Sequence, residues 1–520
     1  MNLNIKSFFQ KYNVHLFWAA VILFAPLLTL SGLSHESYWA DEGFSIAITE
    51  STYRDIWLIS SEDSNPPFFY IALKFFTSIF GTSKLSFRFF PLLGMIAASI
   101  GLGIGPVRRI MGPGRAALYA LLMLLAPNFI SYAQEVRTYT WSLFLVGGVA
   151  FWGYLFFHNG KKRDLISFTV TSILALYIHY YAAMGVFFIY LFLGTGLIIR
   201  RKQWAKVLYI TLSAVVVLIA FIPWASTFAD RIAVHSQGFW IEKPTQLTVV
   251  QCLSVPFNLK FGPSAYAPYL TVFAFVLILT GSVKSLRRGE KYSLLGFLAL
   301  FIIFATLITG YIYSHEVQPM LIPRYMLALY APFFAAVSVG IAEFKAARFR
   351  VGIPGVFLLF SIPSLIGIYT LRFNGPSDEV SEYIRNQGNT DDIVVHFDEL
   401  TASPLAVLLH EKQHVVYLPQ SSSSYFNFKV YSKNLTVTDD IESYMNGKKN
   451  IWLVSRSPSP NHEAYIKTMK YLGFKQSIIK TKNTSDLAAN FRINNSWLVI
   501  NLERIDQGTL IPLEEITVEY

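Results

Sequence analysis

Charge is what this sequence has least of. Asp, Glu, Lys and Arg make up 14% of its 520 residues, where about 25% is usual for a soluble domain. So few charges cannot cover a water-facing surface, and the 53% of residues that are hydrophobic gather in long runs such as 14–33, 116–126, 141–157 and 207–222. A membrane-crossing helix needs about 20 mainly apolar residues, so the chain reads as a polytopic membrane protein. Cysteine is almost absent: with Cys252 alone, no intrachain disulfide is available. No small-residue cleavage site follows the first apolar run. Ser34-His35-Glu36-Ser37 leads straight into an aromatic and acidic stretch, so that run is expected to be a retained first span. A Gly-rich phosphate loop is missing, which removes the nucleotide-binding signature. There is no solenoid-type repeat and no evident inverted-repeat pattern of the kind many transporters carry.

The charges that are present have an uneven distribution. The net charge of +11 would suggest nucleic acid in a soluble protein. Here the cations cluster in short gaps between apolar runs, and nucleic acid is not an expected partner. The basic gaps hold Lys6 and Lys11; Arg108, Arg109 and Arg115; Lys161, Lys162 and Arg163; Arg200, Arg201, Lys202 and Lys206; Lys284, Arg287, Arg288 and Lys291; and Lys345, Arg348 and Arg350. The alternate gaps hold most of the acids, histidines and Pro-Pro punctuation. By the positive-inside rule the basic gaps and the N-terminus are cytoplasmic. About eleven spans are expected, near 14–33, 86–106, 116–130, 138–157, 165–179, 181–199, 207–226, 266–283, 293–312, 326–342 and 351–371. The connection at His179-Tyr180-Tyr181 must be tight. An odd count places the remainder of the chain outside.

Two regions depart from the span pattern. The first outer loop, 34–85, is too long for a plain connector. Residues 43–60 alternate as an amphipathic helix would, and 67–80 are apolar but short and contain Lys74. Both are expected as juxtamembrane helices, separated by Pro66-Pro67. After 371 the composition turns polar. Strands are expected at 393–397, 415–418, 451–454 and 497–502, helices at 378–386 and 463–472, the latter stopped by Gly473, and a loop at 421–424. The expected organisation is a membrane domain over 1–371 and a soluble α/β domain over 372–520.

Chemistry is suggested by a few polar residues on the outer side. Tyr38-Trp39-Ala40-Asp41-Glu42-Gly43 sets two adjacent carboxylates just past the first span. A carboxylate at that depth can serve as a general base; a solvated acidic turn is the plainer reading. The other outer segments are Asn65-Pro66-Pro67-Phe68-Phe69-Tyr70, Phe80-Gly81-Thr82-Ser83 with Arg88 and Pro91, Ser131 to Tyr139 with Glu135 and Arg137, Tyr177 to Tyr181 around His179, and Pro323-Arg324-Tyr325. Arginine near the membrane is expensive without a partner or a task. For Lys74, Arg88, Arg137 and Arg324 the alternatives are snorkelling or a structural ion pair, and Glu135 with Arg137 could form one. His315 and Glu316 precede Arg324. Asp398-Glu399 is the one acid pair of note in the C-terminal domain, and a strand-end acid there commonly caps a helix.

Taken in order, these segments resemble the protein O-mannosyltransferase and aminoarabinose transferase superfamily, bacterial members included, which are membrane glycosyltransferases of the GT-C fold. The Asp-Glu pair, the Pro-Pro aromatic segment, the Phe-Gly-x-Ser turn with Arg88 and Pro91, the Tyr-x-x-Glu-x-Arg-x-Tyr loop and Pro323-Arg324-Tyr325 carry the resemblance over about 14–371. It implies an inverting transfer of a sugar from a polyprenyl (undecaprenyl) phosphate donor to a cell-envelope acceptor, which is a lipid, polysaccharide or protein, at the outer face of the bacterial inner membrane. It implies Asp41 as base and Glu42 as its assistant. It also implies that the donor phosphate or substrate meets residues among Arg137, Arg324, Lys74, Arg88, Asn65, Tyr325, His179 and Tyr139. The aminoarabinose branch has a lysine where this chain has Asn65, which puts that branch's phosphate contact and its sugar in question. Some GT-C relatives use a divalent cation, but no spacing here demands a metal, and no other cofactor is expected. Two other readings compete: a transporter or lipid flippase, which calls for charges deep within spans and paired broken helices, and a non-catalytic scaffold.

Overall fold

The computed structural model describes residues 18–19, 21–23, 30, 32–63, 65–200, 203–235, 241–258, 265–370, 374–418, 428–440, 444, 450–457, 496–504 and 510–518. It divides into two compact units. One comprises 1–33 and 64–368, the other 34–63 and 369–520. In chain order the second unit supplies α1 (Ala40–Ala47) and α2 (Tyr53–Glu62). The first supplies α3 (Phe68–Phe80), α4 (Lys84–Met111), α5 (Pro113–Leu125), α6 (Pro127–Ala133), α7 (Tyr139–Asn159), α8 (Lys162–Leu176) and α9 (Tyr180–Ile199). It continues with α10 (Trp204–His235), α11 (Gln246–Leu253), α12 (Ala267–Arg287), α13 (Leu295–Glu316), α14 (Pro323–Ala342) and α15 (Ala347–Thr370), which runs into the second unit. The second unit resumes with α16 (Ser377–Gln387), β1 (Ile393–His396), α17 (Glu399–Leu408) and β2 to β6.

Among the described residues, eight helices are long and apolar enough to cross a membrane, nine if α5 and α6 count as one broken span. Of the eleven expected spans, 165–179 corresponds to the 15-residue α8, which is not among these helices, and most of 14–33 lies outside the described residues. The span expected at 116–130 is broken into two helices. The chain bends by 71° between α5 and α6, because Pro127 cannot continue a helix and holds Ala126 in an extended conformation (φ −75°, ψ 111°). Outside the membrane helices, the single amphipathic helix expected over 43–60 is two. Thr52 Oγ1 accepts from Asp55 N at 3.2 Å and starts α2 afresh.

Close backbone packing joins the membrane helices. A Cβ on Gly281 of α12 would lie 2.7 Å from the Cα of Gly340 on α14, and one on Gly340 would run into the carbonyl of Leu277. Small residues let helices approach this closely in a bilayer, where dispersion rather than hydrophobicity drives association. At the basic end, Arg109 grips Asp164 through two 2.8 Å bonds.

The second unit is a six-stranded sheet of order β3-β2-β1-β4-β5-β6, with β2 Gln413–Tyr417, β3 Leu435–Thr438, β4 Asn450–Ser457, β5 Ser496–Arg504 and β6 Leu510–Val518. β3, β2, β1 and β4 pair in parallel, and β5 and β6 add antiparallel. β1, in the middle of the parallel strands, reads Ile-Val-Val-His and is buried throughout, as a strand covered on both faces should be. Val380, Ile384, Val394, Leu405, Leu409, Trp452 and Val454 form the core. Asp398, after β1, accepts from Thr401 N at 2.9 Å and caps α17. The expected helix 463–472 and loop 421–424 lie outside the described residues.

Candidate active site

In the membrane unit, three chain breaks converge. Pro323 at the first position of α14 brings Arg324 and Tyr325 into the opening turn, where proline fits because no N–H is required. The segment after α6 folds tightly, with Arg137 N donating to Glu135 O at 2.6 Å, and Tyr139 opens α7. His179 caps α9, its Nδ1 accepting from Tyr181 N at 3.1 Å.

These breaks bring the rings together. His179 meets Tyr325 at 4.8 Å and Tyr139 at 6.2 Å. Tyr181 meets Tyr325 at 5.2 Å, and the Arg324 guanidinium sits 5.8 Å from the Tyr325 ring. Tyr181 is fixed by donating to Met320 O at 3.0 Å, and Ser314 Oγ accepts from Met320 N and Leu321 N at 3.0 and 3.1 Å. Burial, then the charges of Arg137 and Arg324, push His179 down to about 3, so it is neutral at physiological pH. With Nδ1 accepting, the ring's proton resides on Nε2, which is a donor. Tyr139 is 3% exposed, and its Oη has no hydrogen-bond partner among the described residues. A buried hydroxyl left this way is costly.

Of the sequence-derived candidates, Arg137, Tyr139, His179, Arg324 and Tyr325 therefore share one neighbourhood. The Asn65-Pro66-Pro67 segment is tied to the same turn, since Phe68 N donates to Tyr177 O at 3.1 Å; Asn65 itself is 8% exposed. Lys74 is half-buried on α3. Arg88 is fully buried and donates to Leu33 O at 3.0 Å. His315 turns back on its own helix, stacking on Tyr311 at 4.3 Å.

Asp41 and Glu42 belong to the other unit, in the first turn of α1, where the helix dipole favours negative charge. Glu42 is fully buried and Asp41 half-buried. The segment leading to them is stitched down. Asn374 Nδ2 donates to Ser37 O at 2.7 Å, and Ser377 Oγ donates to Tyr38 O at 2.7 Å. Ser403 on α17 donates to Ala40 O at 2.6 Å and lies 2.5 Å from the Tyr431 hydroxyl. Gly43 is pressed on the same serine: a Cβ there would stand 2.5 Å from Ser403 Oγ and 2.7 Å from its carbonyl. Burial and the neighbouring Asp41 charge both push the Tyr431 phenol up. Asn374, Ser377, Ser403 and Tyr431 were not legible as site residues, because single serines, asparagines and tyrosines more than 300 positions from Asp41 carry no local pattern. Among the described residues no group of three His, Cys, Asp or Glu side chains is placed to hold a metal ion.

Residues 64–226 match the model of the dolichyl-phosphate-mannose-protein mannosyltransferase family, about a third of the chain. No curated protein matches it. Among solved structures, ArnT from Cupriavidus metallidurans in the apo state superposes with a TM-score of 0.60 at 13% identity, over 88% of this chain and 95% of that one. ArnT bound to undecaprenyl phosphate superposes with a TM-score of 0.59 at 14% identity, over 89% and 96%. The fold is that of the GT-C membrane glycosyltransferases. Within this GT-C fold, the family-matched stretch includes Asn65, Lys74, Arg88, Arg137, Tyr139 and His179. Asp41, Glu42, Arg324 and Tyr325 lie outside it.

Proposed function

We propose that the protein is an inverting glycosyltransferase that moves a sugar from a polyprenyl phosphate to a cell-envelope acceptor on the outer face of the bacterial inner membrane. The observation that carries this reading is the convergence of Arg137 and Arg324 on a buried cluster of Tyr139, His179 and Tyr325. It occurs in a fold shared with a protein solved with undecaprenyl phosphate bound. The basic gaps are cytoplasmic, as is the N-terminus, and the sheet unit is periplasmic.

In this reading the two arginines bind the donor phosphate in a low-dielectric setting, where fixed cations are worth far more than in water. Neutral His179 donates from Nε2, and the Tyr139 hydroxyl supplies a further bond. The acceptor hydroxyl oxygen attacks the anomeric carbon. The new C–O bond forms as the carbon–phosphate-oxygen bond breaks, and that electron pair stays on the phosphate, which the arginines stabilise. The hydroxyl proton passes to Asp41, and Glu42 orients the acceptor. Lys74, Arg88 and Asn65 support the donor side.

The test incubates purified protein in nanodiscs with a panel of undecaprenyl-phosphate sugars and a cell-envelope extract, following free undecaprenyl phosphate by mass spectrometry. Asp41→Asn is expected to slow release by about 10²–10⁴-fold, the range for a lost general base. Equal rates for wild type and Asp41→Asn would remove Asp41 from the chemistry. No turnover of any donor, alongside lipid flipping in vesicles, would favour a transporter.

A further inference from the structure

A second feature of the membrane unit has no part in that reaction. A cavity of about 870 Å³ lies at the basic end of the bundle, among α5, α14, α15 and Val21. Among the described residues that line it, the charged side chains are Arg115 and Arg350, and the others are apolar or glycine. Leu118, Leu121 and Leu125 follow Arg115 along one face of α5, at the three- and four-residue spacing of a helical stripe, and Leu358 lines the cavity from α15. From Arg115 to Leu125 the stripe runs roughly 15 Å at 1.5 Å per residue. The cavity therefore has a cationic end and a long hydrocarbon wall.

The two arginines differ from their neighbours. Arg109 is committed to Asp164, and Arg288 to Glu343 through bonds of 2.8 and 2.5 Å. Arg115 faces no carboxylate among the described residues. It packs 4.6 Å from the Tyr292 ring and donates a long 3.4 Å bond to Met111 O, and its Nε is buried without a hydrogen-bond partner among the described residues. Arg350 is exposed at the start of α15 and likewise has no acidic partner among the described residues.

We infer that this cavity binds one anionic glycerophospholipid, its phosphate held by Arg115 and Arg350 and an acyl chain laid along the leucine face of α5. A free phosphate ion would leave the leucine wall unused, and a zwitterionic lipid would gain less from two uncompensated guanidiniums. Basic pockets between membrane helices on the cytoplasmic side recognise anionic head groups in this way.

Native mass spectrometry of the full chain, titrated in detergent with phosphatidylglycerol or phosphatidylcholine, tests the inference independently of any transferase activity. Phosphatidylglycerol is expected to be retained with a preference of about 30-fold, the scale two surface arginines supply. Arg350→Gln, an exposed change with little folding risk, should remove most of that preference. A Cβ on Gly355 meets no atom within 4 Å, so Gly355→Leu projects a side chain into the cavity while keeping both arginines and should weaken retention of both lipids. Inorganic phosphate at millimolar concentration should not displace phosphatidylglycerol. Equal retention of the two lipids, retention unchanged in Gly355→Leu, or full displacement by phosphate would each overturn the inference.

Discussion

At the residue scale, the decisive contrast lies between a cation that fixes a helix end and cations gathered around a buried ring cluster. Asp164 accepts a bidentate pair from Arg109, a geometry that fixes a helix end. Arg137 and Arg324 instead act together on His179 beside the unsatisfied Tyr139 hydroxyl. If they bind the donor phosphate, Arg324→Ala should raise the KM for donor and lower kcat, with a combined loss of about 10²–10³-fold in kcat/KM, the scale of one lost transition-state donor. Arg324→Lys should recover little, because a planar two-pronged donor is not replaced by a point charge. Donor titration of steady-state rates checks both; full recovery by lysine would reduce Arg324 to a generic charge.

At the element scale, α1 is held by geometry that tolerates no side chain at Gly43. Gly43→Ala sets a methyl against the Ser403 carbonyl as well as its hydroxyl. Trimming Ser403 to alanine should therefore not rescue it. The expected cost is about 1–3 kcal/mol of stability with a larger fractional loss of turnover, read by thermal unfolding and by undecaprenyl phosphate release on the same sample.

The sheet carries a second element-level device. His396 Nε2 and His414 Nδ1 meet at 2.9 Å across β1 and β2, both fully buried. Burial pushes both down, His414 to about 4 from an ordinary 6.5. Between those values the unfolded chain binds a proton that the folded sheet does not. Stability thus falls as pH drops from about 6.5 to about 4, and His414 causes no further loss below that. For His414 alone the expected loss over that range is about 3 kcal/mol. Hydrogen exchange of the β1 and β2 amides at pH 7 and pH 5 measures it, and His414→Gln should reduce the difference, leaving the part that His396 contributes.

At the scale of the whole molecule, the membrane character was legible because the bilayer imposes length and polarity on every span. The parallel strands were legible as short β-rich runs. What resisted reading was contextual. Ala126-Pro127 breaks a run whose hydropathy is uninterrupted, and proline in a membrane helix is compatible with either a kink or a stop. Leu435–Thr438 is too short and too mixed to announce β3, whose existence depends on β2 beside it. Arg137, Tyr139, His179 and Arg324 could be proposed separately, but only tertiary packing brings three chain breaks to one place. The grouping of 34–63 with 369–520 left no trace in local sequence, since it rests on contacts such as Ser403 to Ala40. A chain truncated after 371 should therefore leave α1 and α2 unsupported, and limited proteolysis should cut within 34–63 well before it does in the full protein. Equal resistance would show that α1 and α2 stand alone.

The same discontinuity sets a schedule for biogenesis. Residues 34–63 are synthesised roughly 300 positions ahead of the segment that completes their unit. At about 5–20 residues per second, translation alone separates the two by roughly 15–60 s. Throughout that interval the membrane helices are being inserted while the acidic turn of Asp41 and Glu42 remains without Asn374, Ser377, Ser403 and Tyr431. The catalytic carboxylate proposed here is thus among the first functional groups of the chain to be made and among the last to be set in place.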